Sequence, residues 1–170
     1  MAKEWVAPAN PTEIDWAKFA AYIDGEGSIG IRLRKRANGR KACHVVTIVM
    51  SNTDPRLIRW CKETFKCGSI SARKVWRMNS LYGIKSHKVS WIWEIQAKCA
   101  EWALFRCLPY FTIKREQAEL CLELRRTMGT GFGRSTENKP VSSEKLAYRQ
   151  DLKERLTLLK KAVGEQCVKK

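Results

Sequence analysis

Helical and alternating patterns of hydrophobic residues follow one another along the chain, and each change of period predicts an element boundary. Thr12 and Asp15 are spaced like a helix N-cap with an acidic first turn, and small apolar residues then recur at helical spacing. From Ser28 the period becomes alternating, which is typical of a half-buried strand. The sequence therefore predicts a helix over residues 12–24 and then a strand whose core-facing residues are Ile29, Ile31 and Leu33.

Two hairpins separated by a helix are predicted next. The dipeptide Asn38-Gly39 is a strong turn signal, and it is followed by a second strand. Asp54 followed by Pro55 predicts the start of a helix, because an acidic N-cap and a proline at the first helical position are both favoured there. The helix is predicted over residues 54–66, and the three strands around it over residues 43–51, 69–76 and 89–96.

Helices dominate the last third of the chain, and the whole order of elements predicts an α+β protein that folds as one domain. The glycine-rich run 129–133 resembles a phosphate-binding loop, but it lacks the terminal Gly-Lys-Ser/Thr of a P-loop and is interpreted as a connector. The remaining helices are predicted over residues 98–107, 112–127 and 144–163. The predicted segments are an N-terminal arm (1–11), a core (12–128), a connector (129–143) and a C-terminal helix with a basic tail (144–170).

The charge balance indicates a polyanionic partner. The chain of 170 residues has 33 Lys and Arg against 17 Asp and Glu, which gives a formal net charge of +16. Lysine and arginine bind phosphates and release counterions, so nucleic acid is the expected partner. A membrane surface is the competing partner, but no long uncharged apolar run that could span a bilayer is present.

The cysteines indicate a reducing compartment. The seven cysteines are odd in number, form no C-x-x-C pair and are accompanied by only two histidines, so a structural zinc site is not expected. The N-terminus has neither the apolar core of a secretory signal nor the composition of a transit peptide. We therefore expect an intracellular location, either bacterial cytoplasm or an organelle such as a chloroplast or mitochondrion.

Basic residues line both predicted hairpins. In the first strand they alternate with the core-facing residues, so that one face is apolar and the other cationic. The cationic face is either a solvated surface or a DNA-binding surface, and the net charge favours DNA, since a two-stranded ribbon can enter a major groove, where arginine pairs with guanine. Trp91 and Trp93 in the last strand are interpreted as core rather than base-stacking residues. The candidate DNA-binding residues are Arg32, Arg34, Arg36, Arg40, Arg73, Arg77, Lys85 and Lys88.

Two acidic residues separated by one glycine close the first predicted helix, in the run Asp24-Gly25-Glu26-Gly27. Glycine removes side-chain bulk, so the chain can turn sharply and a ligand or a second helix can approach. Magnesium prefers carboxylate and carbonyl oxygens, with water in the remaining positions. Glu26 and the Gly25 carbonyl are therefore candidate metal ligands, and an ordinary acidic helix end is the alternative interpretation.

The run F-A-A-Y-I-D-G-E-G over residues 19–27 resembles the signature of the LAGLIDADG homing endonucleases and aligns with it without a gap. Two further stretches resemble that family at fitting distances, S-N-T-D over residues 51–54 and L-P-Y-F followed by K-R-E-Q-A over residues 108–118. No second copy of the acidic motif is present. The resemblance implies the family's αββαββα fold, an antiparallel β-saddle backed by helices, here followed by an additional C-terminal helix.

The resemblance also implies a homodimer. In this family two acidic-motif helices pack side by side, so a chain with a single motif must pair with a second copy, and its two-fold symmetry predicts a pseudo-palindromic DNA site. Ala21 stands where the family often has glycine. The implied interface residues are Ala17, Ala20, Ala21 and Asp24, of which Asp24 serves mainly as a helix cap.

By the same resemblance, Glu26 and the Gly25 carbonyl hold metal, which activates water and stabilises the leaving 3′ oxygen during phosphodiester hydrolysis. The family's peripheral active-site positions correspond to Asn52, Arg56 and Lys114, whose amide and cationic groups suit the surroundings of a scissile phosphate. Each has an ordinary alternative, respectively a turn residue, a surface charge and a solvated lysine. Their combination favours an active site.

The expected function is a Mg²⁺-dependent, sequence-specific DNA endonuclease that leaves 3′-hydroxyl and 5′-phosphate ends and promotes intron homing. The alternative is an intron RNA maturase or a non-catalytic DNA-binding protein on the same fold. Neither of these needs the acidic residues of the motif, such as Glu26. An intein-embedded nuclease is a weaker alternative, because the chain begins with methionine and ends in lysines rather than in a His-Asn splice junction.

Overall fold

The structure, a computed structural model, describes residues 5–34, 42–74, 89–128 and 141–168. Its helices and strands follow the predicted order. None of the helices in these ranges combines the length and the apolar character that crossing a bilayer requires. The elements are α1 (Glu13–Glu26), β1 (Gly27–Arg34), β2 (Cys43–Asn52), α2 (Pro55–Phe65), β3 (Ser69–Lys74), β4 (Val89–Gln96), α3 (Ala97–Cys107), a 3-10 turn (Leu108–Tyr110), α4 (Arg115–Arg126) and α5 (Ser143–Val168).

The four strands form one antiparallel sheet in the order β1-β2-β4-β3. The register pairs Gly27 with Met50 in the first hairpin and Ile48 with Ile95 at the centre of the sheet. One face of the sheet packs against the helices, and Ile48 and Ile95 are buried there. The opposite face consists mainly of exposed and half-buried residues. The predicted α+β class is confirmed, with the core on one side of the sheet only.

Helix α1 begins with the predicted cap. The Asp15 N–H donates to the Thr12 hydroxyl at 3.2 Å and the Thr12 N–H donates to the Asp15 carboxylate at 3.0 Å, and these hydrogen bonds lower the pKa of Asp15. At its other end α1 runs two residues past its predicted end, and β1 follows at once with Gly27. A Cβ at Gly27 would lie 2.7 Å from the Ile23 Cα, so glycine is required for this close passage from helix to strand.

The alternation in β1 predicted the core face correctly near α1 but not at the far end. Ile29 is 0% and Ile31 7% exposed, whereas Leu33, predicted to face the core, is 49% exposed. Leu33 thus lies on the core face of β1 without being covered, although its register partner His44 is buried. In β4, Trp93 is fully buried and its indole N–H donates to the Cys67 carbonyl at 3.0 Å, which confirms the core interpretation.

The C-terminal helix α5 is longer than predicted and belongs to the same core. It runs from Ser143 to Val168, and its Leu152 and Leu156 are buried with the rest of the hydrophobic core. Gln150 lies against the buried His44 of β2, with 3.3 Å between the Gln150 Oε1 and the His44 Nε2. Most of the predicted connector, residues 129–140, and the predicted turn Asn38-Gly39 lie outside the described residues.

Candidate functional site

The carboxylate of Asp24 joins the end of α1 to the start of α4. It accepts the backbone N–H groups of Thr112, Ile113 and Lys114 at 2.8, 3.2 and 2.9 Å. A carboxylate in this position accepts hydrogen bonds from N–H groups that would otherwise lack a partner, and its negative charge interacts favourably with the positive end of the α4 dipole. These bonds also explain why α4 begins at Arg115 and not at Thr112 as predicted. The carboxylate of Asp24 is thus engaged within its own protomer, which agrees with the mainly structural role expected of it, and its place in a dimer interface stays a prediction.

Lys114 closes the same junction from the other direction. Its ammonium donates to the backbone carbonyls of Ile23, Asp24 and Gly27 at 2.5, 2.7 and 2.9 Å. An ammonium has three N–H donors, and these three carbonyls take all of them. Burial lowers the pKa of Lys114, Asp24 opposes that shift, Lys160 adds to it and Glu26 opposes it. Lys114 therefore fixes the end of α1 and places positive charge beside Glu26.

Glu26 is the last residue of α1 and is exposed. Within the described residues no ion pair or side-chain hydrogen bond holds its carboxylate, and Lys114 leaves the Gly25 carbonyl free while binding those of Asp24 and Gly27. In the same part of the chain, no group of three or more histidine, cysteine, aspartate or glutamate side chains is placed to hold a metal ion. One protomer thus presents one free carboxylate and an adjacent carbonyl, which are oxygen donors of the kind Mg²⁺ prefers.

Asn52 and Arg56 lie at the same end of the sheet, as the β1–β2 register shows. Gly27 pairs with Met50, and Asn52 ends the same strand two residues later. The Asn52 carboxamide oxygen accepts the Asp54 N–H at 2.8 Å, and within the described ranges its NH₂ group has no hydrogen-bond partner. The Arg56 guanidinium is largely exposed but binds the Asp54 carboxylate at 2.5 Å. Both residues therefore also have the ordinary structural roles that their positions in a turn and a first helical turn suggested.

The face of the sheet that is turned away from the helices, here called the open face, carries the described candidates for DNA binding. Arg32, Arg34 and Arg73 are exposed on it. Between them lie hydroxyl, amide and aliphatic side chains, which can hydrogen-bond to base edges or contact thymine methyl groups. Arg36, Arg40, Arg77, Lys85 and Lys88 lie outside the described residues. The open face is formed by Ser28, Gly30, Arg32 and Arg34 of β1, Cys43, Val45, Thr47, Val49 and Ser51 of β2, Ser69, Ser71 and Arg73 of β3, and Ser90, Ile92, Glu94 and Gln96 of β4.

An acidic residue lies on this cationic face. The Glu94 carboxylate accepts a hydrogen bond from the Arg32 guanidinium at 2.8 Å and another from the Gln96 carboxamide at 3.0 Å. The exposed fractions of the two ionic side chains are 57% for Arg32 and 23% for Glu94. Glu94 therefore fixes the direction of one predicted DNA-binding arginine.

A stripe of exposed residues runs along α1, away from the core. The Ile14 side chain is 78% exposed, and a Cβ added at Gly25 would meet no atom within 4 Å. An exposed isoleucine and an open glycine on one side of a helix leave a surface that a second helix can approach closely. The stripe consists of Ile14, Lys18, Ala21 and Gly25.

Of the alanines predicted for the dimer interface, Ala21 alone belongs to this stripe. Ala21 is exposed and Ala17 is half-buried. Ala20, by contrast, is fully buried in the core of its own protomer, so its assignment to an interface is wrong. It lies on the side of α1 that carries the other buried residues of the helix, Trp16, Phe19 and Ile23.

Two residues near the site were not identified from the sequence. Glu94 is not among the candidates named from the sequence, although the alternation that assigns Trp93 to the core places Glu94 on the face with the arginines. Lys160 of α5 lies 3.4 Å from the Ser28 hydroxyl, measured from its Nζ. No sequence pattern links residues 132 positions apart, so this second neighbour required the structure.

No protein-family model and no curated protein sequence matches the chain. Solved structures of homing endonucleases do match it. The homing endonuclease I-CvuI, in complex with its target in the presence of calcium, is 18% identical with a TM-score of 0.65, and the match covers 86% of this chain and 82% of that one. An archaeal intron-encoded homing endonuclease, I-Vdi141I, complexed with DNA, is 12% identical with a TM-score of 0.63, over 86% and 84% of the two chains.

A longer protein also matches. The LAGLIDADG homing endonuclease I-GzeII, in complex with a DNA target, is 18% identical with a TM-score of 0.58, and the match covers 85% of this chain but 44% of that one. At these identities the likeness establishes the architecture. The chain has the fold of the LAGLIDADG homing endonucleases, and the predicted resemblance is confirmed at the level of the fold.

Proposed function

We propose that the protein is a sequence-specific, Mg²⁺-dependent DNA endonuclease that acts as a homodimer, makes double-strand breaks at a long pseudo-palindromic site and so promotes intron homing. The observation that carries this proposal is the free Glu26 carboxylate at the end of α1, which lies near Lys114 at the edge of an arginine-bearing open face. A protein that only bound nucleic acid would need the face but not the carboxylate. The DNA complexes of proteins with this fold support the same reading.

The exposed stripe on α1 supports the homodimer. One protomer supplies one Glu26, and pairing two α1 helices through the stripe would bring two of them together on a two-fold axis. The comparisons agree with this arrangement, since the chain matches most of I-CvuI but less than half of I-GzeII, as expected if the longer chain held two such units. The two open faces would then form one continuous DNA-binding surface.

Glu26 and the Gly25 carbonyl would hold the metal ion at that axis, with the partner's Glu26 and water completing the ligand set. A metal ion held there would supply an activated water and charge stabilisation for the leaving 3′ oxygen, the chemistry of a hydrolysis that leaves 3′-hydroxyl and 5′-phosphate ends. The chain's own residues act by position. Asp24 and Lys114 hold the end of α1, and so the direction of Glu26, relative to α4.

Asn52 and Arg56 would act on the surroundings of the scissile phosphate. The NH₂ group of Asn52 can orient water or bind a phosphoryl oxygen. The guanidinium of Arg56 is bound by the Asp54 carboxylate, and a phosphate would compete with that carboxylate for it.

The test is to expose a randomised duplex DNA library to the purified protein with Mg²⁺ and to sequence the cleaved ends. The proposal predicts double-strand cuts within a long, approximately two-fold symmetric sequence. Absence of cutting, combined with tighter binding of intron RNA than of duplex DNA, would refute the endonuclease and support the maturase alternative.

A further inference from the structure

The C-terminal helix α5 brings a cation to the corner where β1 leaves α1. The Lys160 ammonium lies 3.4 Å from the Ser28 hydroxyl and 3.9 Å from the position that a Cβ would occupy at Gly30. Ser28 and Gly30 belong to the open face, and Ser28 follows Glu26 by two residues. Residue 30 itself has no side chain, and the groups nearest to where its Cβ would be are the Thr47 hydroxyl at 3.5 Å and this ammonium. Most of the Lys160 side chain is exposed, so a ligand can reach it from solvent, although its ammonium is partly buried beside Ser28.

Three cations, Lys114, Lys160 and Arg32, lie near this corner, and they differ in the partners that their charged groups have. Burial is the main cause that lowers the pKa of Lys114 and of Lys160, and neighbouring positive charge adds to it, from Lys160 for the first and from Arg32 for the second. The Lys114 ammonium donates three hydrogen bonds to carbonyls, and Arg32 forms an ion pair with Glu94. Among the described residues, the ammonium of Lys160 has only a hydroxyl as partner.

A lone ammonium beside two other cations favours an anion at that position. We propose that Lys160 is a phosphate-binding residue of the DNA-binding surface, which contacts the backbone next to the scissile phosphate and is oriented by Ser28. This inference rests on the proposed function, because the anion it names is the phosphate of a DNA substrate lying on the open face. It also gives α5, whose Leu152 and Leu156 pack in the core, a direct part in binding.

The first experiment measures how binding depends on salt. Duplex DNA carrying the selected site is titrated with the full-length protein without divalent metal, and the logarithm of the binding constant is plotted against that of the salt concentration. The binding constant falls as salt rises, and each lost phosphate contact makes this negative slope less steep by about 0.9. In a homodimer, Lys160→Ala is therefore expected to make the slope less steep by about 1.8. Lys160→Arg should keep the wild-type slope. Lys161→Ala removes the same charge from the next residue of α5, which is exposed, and is expected to leave the slope unchanged.

The second experiment locates the contact. A neutral methylphosphonate replaces a single phosphate, either beside the cut or well outside the site. Next to the cut, the replacement should weaken wild-type binding but should weaken Lys160→Ala little further, because the charge that Lys160 contacts is already without its partner. At the distant phosphate, both proteins should respond equally.

The outcomes separate this inference from the function on which it rests. If wild type binds and cuts but Lys160→Ala has the slope of wild type, or Lys161→Ala loses as much as Lys160→Ala, the inference is wrong and the proposed function stands. The inference is also wrong if the methylphosphonate at the cut weakens the binding of wild type and of Lys160→Ala by the same factor. If wild type neither binds nor cuts duplex DNA, both proposals are wrong. Thermal unfolding of each variant verifies that the compared proteins are folded.

Discussion

Replacing Lys114 with methionine distinguishes a residue that holds the end of α1 from one that acts on the DNA directly. The ammonium donates three hydrogen bonds of 2.5–2.9 Å to carbonyls at that end. A hydrogen bond from a charged group contributes about 1.5–3 kcal/mol, and a carbonyl left without its partner costs about 1–3 kcal/mol unless water replaces it. Water can reach this half-buried junction, so we expect a loss of about 2–4 kcal/mol for the three bonds together.

A loss of that size is a large part of the about 5–15 kcal/mol that stabilises a typical domain. Urea unfolding of Lys114→Met measures it, with Arg115→Met as the matched control. Arg115 is the next residue and also a cation, but its contact is one exposed ion pair with Glu119, worth about 0.3–0.5 kcal/mol. If Lys114→Met were as stable as Arg115→Met and yet inactive, Lys114 would act on the substrate and not as a support for α1, and our reasoning would be refuted.

Three further predictions concern the dimer, acid stability and thiol chemistry. Ala21→Glu should fold normally, because Ala21 is exposed, but should elute as a monomer in gel filtration and fail to cut; a dimer of wild-type activity would contradict the proposed interface. Asp54 has its pKa lowered from 3.8 to about 2 by hydrogen bonds from Arg56, so it stabilises the fold above pH 3.8 and that contribution is lost as the pH falls towards 2. Asp54→Asn should lack this part of the pH dependence, which unfolding midpoints of both proteins measured across that window would reveal. A hydrogen bond from Cys67 lowers the pKa of Cys99, whereas burial raises the pKa of Cys61 to about 12. Iodoacetamide at neutral pH should therefore modify Cys99 well before Cys61, as mass spectrometry would show. Equal rates of modification would contradict this prediction.

The elements were predictable because their signals are local. The Thr12 and Asp15 capping box and the Asp54-Pro55 helix start lie within a few residues of the boundaries they set, and the structure contains both. Strand alternation located the buried Trp93 for the same reason. Leu33 shows the limit of this approach, because alternation assigns a face of the sheet but does not tell whether a given residue on that face is covered.

The candidate site was predictable only in part. Glu26 and Lys114 were found from a motif resemblance, and the structure places Lys114 beside Glu26, although the hydrogen bonds between residues 24 and 112–114 have no local signal. Ala20 was assigned to an interface because small residues at helical spacing fit both a helix pair and a core. Only the burial of each alanine separates these two uses, and burial depends on what the rest of the chain places next to α1.

The most direct test of the proposed function compares wild type with Glu26→Gln on a plasmid that carries the selected site, in the presence of Mg²⁺. This substitution removes one negative charge at an exposed position and keeps nearly the same shape, so the variant should remain folded, remain dimeric and bind the site at least as tightly as wild type. We predict that wild type converts the plasmid to linear DNA and that Glu26→Gln leaves it uncut. Equal cutting by the two proteins would contradict the central claim that Glu26 carries the metal-dependent chemistry.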